Sequence, residues 1–168
     1  MQAYPLLISG LPNSDTLQVW QKNGIRCLLN VSGIDIFELY PDYNLAAFTV
    51  AQFTFADIFT LAPPVEATAL ADSDLGSLYV QLTDSHQRQA LLAAVQCLQA
   101  QLQNRIPTSV FCHRGQGRSP LVAAAAYQHF YQETGQQAIA RILAQHRPAV
   151  FTRLSLSALH WCASQLPT

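Results

Sequence analysis

Residues 108–127 read Thr-Ser-Val-Phe-Cys-His-Arg-Gly-Gln-Gly-Arg-Ser-Pro-Leu-Val-Ala-Ala-Ala-Ala-Tyr, a short loop between two apolar segments. The run from Thr108 to Phe111 is typical of a buried strand, and the alanine-rich stretch after Arg118 is typical of a helix. The loop between them begins at Cys112. Because parallel α/β sheets bind ligands at the carboxyl ends of their strands, this order of elements predicts a functional site at the loop.

The residue types in the loop suit an anion site that contains a nucleophile. Backbone N–H groups at a helix N-terminus bind oxyanions, and Gly115 and Gly117 permit the backbone angles that turn amides inward. Arg118 offers two N–H groups to two oxygens of one phosphate. The same positive field favours the thiolate form of Cys112, and Ser119 places a hydroxyl near the sulfur. We therefore expect Cys112 and Arg118 to be catalytic.

The motif Cys-x-x-Gly-x-Gly-Arg-Ser-Pro at residues 112–120 resembles the signature loop of the cysteine-dependent protein phosphatases, in their bacterial dual-specificity-like branch. The stretch from Ser9 to Gly33 is similar to the strand-helix-strand at the start of those proteins. The resemblance implies an α/β fold with a central, mainly parallel sheet flanked by helices. It also implies hydrolysis of a phosphomonoester through a phosphocysteine intermediate, and a catalytic role for Ser119, whose hydroxyl would assist the breakdown of that intermediate. The residues expected to bind the phosphate are His113, Arg114, Gly115, Gln116, Gly117 and Arg118.

The loop departs from the family pattern at one position. The family usually has a histidine directly before the cysteine, where it orders the loop and favours the thiolate, but this chain has Phe111. How strongly Cys112 is activated is therefore left open. Farther on, residues 140–150 resemble the helix-Arg-Pro segment of the family. The asparagine or glutamine that often follows that segment is not evident at residues 151–153.

The general acid of the reaction is expected to be Asp84. In the family this residue lies on a loop after a strand, and Leu78–Leu82 alternates in the manner of a strand. A different role is open to Asp84, because an aspartate before the helix that starts near His86 is also a good N-cap. Asp72 and Asp74 are the alternative candidates for the general acid.

The remaining elements follow from apolar periodicity and from helix start and stop signals. The chain is expected to form one domain over residues 1–168, with a helical insertion at about residues 33–77. That insertion either packs on the core or covers the cleft. The expected strands are Leu6–Ser9 and Arg26–Val31; the expected helices are a first one capped by Ser14 or Asp15 and ending near Lys22, then Leu45–Leu61, His86–Leu102, Arg118–Gln132, Gln136–Gln145 and Ser155–Gln165.

Composition narrows the class of protein. Half of the 168 residues are hydrophobic and 11% are charged, as in a globular domain. Residues 1–85 carry two basic side chains against nine acidic ones, whereas residues 86–168 carry seven arginines against one glutamate. A positive field near the loop would attract anionic substrates, and the dispersal of the arginines argues against nucleic-acid binding.

The N-terminus and the cysteines indicate a compartment. The first residues lack the basic region and the long apolar core of a signal peptide, so we expect none, and no apolar run is long enough to span a membrane. The four cysteines show neither paired nor zinc-ligand spacing, so we expect reduced thiols, no metal, no cofactor and a cytoplasmic location.

Two other functions are compatible with a loop cysteine. One is a rhodanese-type sulfurtransferase, in which the cysteine carries a persulfide. The other is a module that binds a phosphorylated ligand without catalysis, for which Phe111 would be the sign. Within the phosphatase hypothesis the substrate is open between a protein phosphorylated on tyrosine, serine or threonine, a phosphoinositide, a nucleotide and a small phosphoester. The sequence does not indicate an oligomeric state.

Overall fold

The computed structural model describes residues 6–60 and 75–167. Four strands form one fully parallel sheet in the order β1-β4-β2-β3. The strands are β1 (Leu6–Ser9), β2 (Cys27–Asn30), β3 (Thr49–Gln52) and β4 (Thr108–Phe111). Because β4 lies between β1 and β2, the loop that follows it opens at the centre of the carboxyl edge.

Helices cover both faces of the sheet, which confirms the expected α/β fold. They are α1 (Ser14–Lys22), α2 (Ile36–Leu39), α3 (Leu75–Leu82), α4 (Ser85–Gln103), α5 (Arg118–Phe130), α6 (Gly135–Gln145) and α7 (Arg153–Gln165), with a 3₁₀ turn at Leu45–Ala47. No helix in residues 6–60 and 75–167 is both long and apolar enough to cross a membrane.

Two cores lie on opposite faces of the sheet, and β4 contributes to both. Side chains alternate between faces along a strand. Val110 and Cys112 accordingly face the larger core, which contains α4, α5, α6 and α7. Phe111 faces the smaller core, which includes α1, and its ring lies 6.1 Å from that of Trp20. Phe111 thus fills an apolar site, and the cysteine that follows it emerges on the side of α5.

The strand expected at Leu78–Leu82 is wrong, because these residues belong to α3. Five alternating residues are too few to distinguish a strand from one face of a short helix. Tyr79 is buried against Trp161 of α7, with ring centroids 5.6 Å apart. The Tyr79 amide donates to the Ser157 hydroxyl (2.9 Å), so α7 supports α3 through both apolar and polar contacts.

The helix expected from Leu45 to Leu61 is also wrong over the residues that the structure describes. The 3₁₀ turn is followed by β3 and then by a non-helical segment to residue 60. Phe48 lies in the smaller core, whereas Phe55 and Phe59 lie in the larger one. Their helix-like spacing therefore reflects burial on two different faces. Residues 61–74 lie outside the described part, so a single domain with a helical insertion at 33–77 stays a prediction.

The N-cap of helix α1 lies one residue before the first of the two residues expected to form it. Asn13, rather than Ser14 or Asp15, accepts a hydrogen bond from the Thr16 amide (2.8 Å). Asparagine is as good an N-cap as serine or aspartate, so the start signal was correct in type and displaced in position. The expected helices over α4, α5, α6 and α7 are confirmed within a few residues.

Candidate active site

The loop from Cys112 to Arg118 joins β4 to α5 and surrounds the cysteine sulfur. Cys112 is 1% exposed. Its Sγ atom accepts a hydrogen bond from the Gly115 amide (3.2 Å) and lies 3.2 Å from the Ser119 hydroxyl. Ser119 also donates to the Ser9 carbonyl, at the end of β1 (3.2 Å). The structure therefore brings together the sulfur and the hydroxyl that the sequence places seven residues apart.

Three carbonyl oxygens of the loop accept hydrogen bonds from groups outside it. The pairs are Leu11 N with His113 O (3.1 Å), His146 Nε2 with Gly115 O (2.6 Å) and Val150 N with Gln116 O (2.8 Å). In a trans peptide the carbonyl and the following N–H point in opposite directions. The amides of Arg114, Gln116 and Gly117 therefore point away from these outer partners, toward the inside of the loop, in the arrangement of a backbone nest.

The Arg118 side chain is 9% exposed and is held in place at one of its nitrogens. Nη1 donates to the Ser32 carbonyl (2.8 Å) and to the Phe55 carbonyl (3.4 Å). The Nε atom is buried and has no hydrogen-bond partner among the described residues. A buried donor without a partner costs about 1–3 kcal/mol, so this N–H marks a place where a ligand oxygen would be stabilised.

Asp57 is the carboxylate that the structure places against this guanidinium. Its Oδ2 atom lies 3.9 Å from Arg118 Nε, and its buried Oδ1 atom lacks a hydrogen-bond partner within the described ranges. A Cβ added at Gly117 would lie 2.7 Å from Asp57 Oδ1. The carboxyl group therefore sits directly over the loop at the start of α5, within reach of a group bound there.

Sequence reasoning missed Asp57, because the segment that carries it was assigned to a helix. The available signal was its place after an apolar segment that proves to be β3. Asp84, the expected acid, caps α4 and accepts a hydrogen bond from the Gln87 amide (2.8 Å). The structure therefore places Asp84 in the alternative role, that of an N-cap. Asp72 and Asp74 lie outside the described residues.

The remaining loop side chains lie at the rim. His113 and Arg114 are exposed, and Gln116 is half-buried. Their backbone groups, rather than their side chains, form the inside of the loop. The exposed Arg114 guanidinium adds positive potential at the entrance, where it would attract an anion.

The other three cysteines are poorly suited to nucleophilic chemistry. Burial raises the pKa of the Cys27 thiol to about 11 and that of the Cys162 thiol to about 12. Burial also raises the pKa of the Cys97 thiol. A raised pKa leaves less thiolate at neutral pH, and the thiolate is the reactive form. Cys112 is therefore the cysteine with a site built around it.

Gly115 offers a direct test of how tightly the loop is packed. Its φ angle is +70°, and an added Cβ would lie 2.6 Å from Gly10 N and 2.7 Å from Ser9 C. We expect Gly115→Ala to lower the free energy of unfolding by about 2–5 kcal/mol, measured by urea denaturation, because strain and overpacking add.

Gly24→Ala is the matched control for that variant. Gly24 has φ +87°, but an added Cβ meets nothing within 4 Å. Its cost should be about 1–2 kcal/mol, from the left-handed backbone alone. Equal costs at the two glycines would show that β1 does not pack closely against the loop.

Comparisons with known proteins find similarity in structure but not in sequence. No protein-family model matches the chain, and no curated protein sequence does. Tk-PTP in its active form superimposes with a TM-score of 0.65 at 15% identity, over 96% of this chain and 93% of that one. Human DUSP28 gives a TM-score of 0.64 at 14% identity, over 97% and 94%. TpbA of P. aeruginosa gives 0.59 at 17% identity, over 94% and 80%. The chain therefore has the fold of the protein tyrosine and dual-specificity phosphatases.

Proposed function

We propose that the protein is a cysteine-dependent phosphatase that hydrolyses a phosphomonoester. One observation carries the proposal: a single loop holds the Cys112 sulfur, a set of inward-turned amides and an Arg118 N–H without a hydrogen-bond partner among the described residues. Such a set of donors matches the oxygens of a phosphoryl group, and the sulfur lies where it can attack phosphorus.

In the first step the Cys112 thiolate attacks phosphorus, the S–P bond forms, and the bond to the leaving oxygen breaks. The loop amides and Arg118 stabilise the charge on the non-bridging oxygens. Asp57 in its protonated form donates a proton to the departing oxygen, because its carboxyl lies over the loop at Gly117. The products are an alcohol and a phosphocysteine.

In the second step water attacks the phosphocysteine, and Asp57, now ionised, accepts a proton from that water. The S–P bond breaks, inorganic phosphate forms, and the thiolate of Cys112 is restored. Ser119 lies 3.2 Å from Sγ, and its hydroxyl proton, which the Ser9 carbonyl accepts in this structure, would turn to the sulfur and stabilise the departing thiolate. Residues from the loop after β3, the loop after β4 and α5 would thus share one reaction.

The proposed substrate is a phosphorylated protein or a small phosphoester. PTPMT1, which matches with a TM-score of 0.61 at 14% identity, has been solved in complex with PI(5)P. A phosphoinositide is therefore one member of the substrate panel to test. The mechanism needs a reduced thiol, which fits a cytoplasmic location. We propose neither a nucleic-acid partner nor insertion into a membrane.

The proposal is tested by assaying the purified protein with p-nitrophenyl phosphate and, in parallel, with thiosulfate and cyanide. We expect release of phosphate, inhibition by orthovanadate, and no formation of thiocyanate. Thiocyanate without phosphate release would instead assign the sulfurtransferase function. Binding of phosphate without turnover of any phosphoester would assign the non-catalytic binding function.

A further inference from the structure

We propose that His146 is a positioning residue that holds the Cys112–Arg118 loop in its phosphate-binding conformation, an inference that rests on the proposed function. His146 follows α6 and is half-buried. Its Nε2 atom lies 2.6 Å from the Gly115 carbonyl, and its own amide donates to the Ile142 carbonyl (2.7 Å). Since a carbonyl only accepts, Nε2 must carry the proton.

The hydrogen bond from His146 holds the peptide between Gly115 and Gln116. The N–H groups of these two residues face the Cys112 sulfur and the proposed phosphate. The Gly115 amide donates to Cys112 Sγ, and the peptide that follows Gly115 presents the Gln116 amide to the inside. Holding the Gly115 carbonyl outward therefore keeps the Gln116 N–H turned inward. Without the hydrogen bond from His146, no side chain of the described residues would hold the Gly115 carbonyl outward, and the Gln116 N–H would be free to turn away from the phosphate.

This peptide lies in a part of the loop that contains two glycines. Gly115 and Gly117 flank Gln116, and glycine populates positive and negative φ with similar ease. The Val150 amide holds the next carbonyl, that of Gln116 (2.8 Å). Backbone donors also hold the His113 carbonyl. Among the hydrogen bonds to loop carbonyls in the described ranges, the one from His146 comes from a side chain, so a substitution can remove it cleanly.

The contact between His146 and the loop also bears on the absence of a histidine at position 111. In related phosphatases an imidazole directly before the cysteine helps to order the loop, but here that position fills the smaller core beside Trp20. An imidazole still contacts the loop, from the end of α6 and from the outer side. His146 thus supplies an ordering contact from a distant part of the chain.

The experiment compares His146→Ala, His146→Gln and Leu143→Ala. Leu143 is 41% exposed on the same helix and serves as the control. The Kd of inorganic phosphate is measured by protection of Cys112 from iodoacetamide, together with kcat and KM for p-nitrophenyl phosphate and the Tm. We expect His146→Ala to raise the phosphate Kd about 10-fold, the equivalent of one lost hydrogen bond. His146→Gln should restore most of the affinity, because its amide can donate, and Leu143→Ala should match the wild type.

Two results would overturn the assignment. One is a phosphate Kd for His146→Ala equal to that of the wild type. The other is an equal loss in the alanine and glutamine variants that follows an equal fall in Tm, which would indicate a purely structural role. A wild-type protein that binds phosphate but hydrolyses no phosphoester would contradict the proposed function alone, since the comparison of phosphate affinities would still stand.

Discussion

Replacing Cys112 by serine should reduce kcat/KM for p-nitrophenyl phosphate by about 10⁴-fold or more, because the reaction loses its nucleophile. A serine hydroxyl is not ionised at neutral pH, so the hydrogen bond from Gly115 and the contact with Ser119 would surround a group unable to attack phosphorus. The change is nearly isosteric at a buried position. The fold and the binding of phosphate should therefore persist, as measured by Tm and by phosphate affinity.

Cys97→Ser is the control for the loss of a thiol. Cys97 lies on α4 and is half-buried. Its replacement by serine should leave the rate unchanged. Mass spectrometry of acid-quenched wild-type protein should locate the phosphoryl group on Cys112 during turnover. A Cys112→Ser protein that retained a tenth of the wild-type rate would exclude a phosphocysteine mechanism.

Replacing Asp57 by asparagine should slow the hydrolysis of alkyl phosphates by about 10²–10⁴-fold, the usual contribution of a general acid. An alkoxide is a poor leaving group and needs a proton as the P–O bond breaks. A p-nitrophenolate leaves without being protonated, so the fall in rate should be much smaller for p-nitrophenyl phosphate. The measurement is kcat/KM across a series of leaving groups, in which the variant should show a steeper dependence on leaving-group pKa than the wild type.

Asp84→Asn is the matched control, because asparagine caps a helix as well as aspartate does but lacks a carboxyl group. The hydrogen bond to the Gln87 amide can be kept, so stability and rates should both stay near those of the wild type. If Asp84→Asn steepened the leaving-group dependence and Asp57→Asn did not, Asp84 would be the acid and the position of Asp57 over the loop would have another cause.

The loop and its flanking elements were predictable because their determinants are contiguous. An apolar strand, two glycines and an alanine-rich helix over residues 108–127 specify local structure that the packed protein retains. The described segments at residues 33–60 and 75–82 were not predictable in the same way. Their short apolar patterns fit a helix or a strand equally well, and only packing on one core or the other decides between them.

Tertiary structure alone decided which distant groups meet the loop. Asp57 reaches Arg118 because the loop after β3 and the loop after β4 open at the same edge of a parallel sheet. His146 reaches Gly115 because α6 packs on α5 and ends beside the loop. These contacts join residues far apart in the chain, so they depend on strand order and helix packing. The sequence by itself determined Cys112, the glycine-containing loop and Arg118, since a single short segment contains all three. The fold determined which carboxyl group and which imidazole lie against that loop.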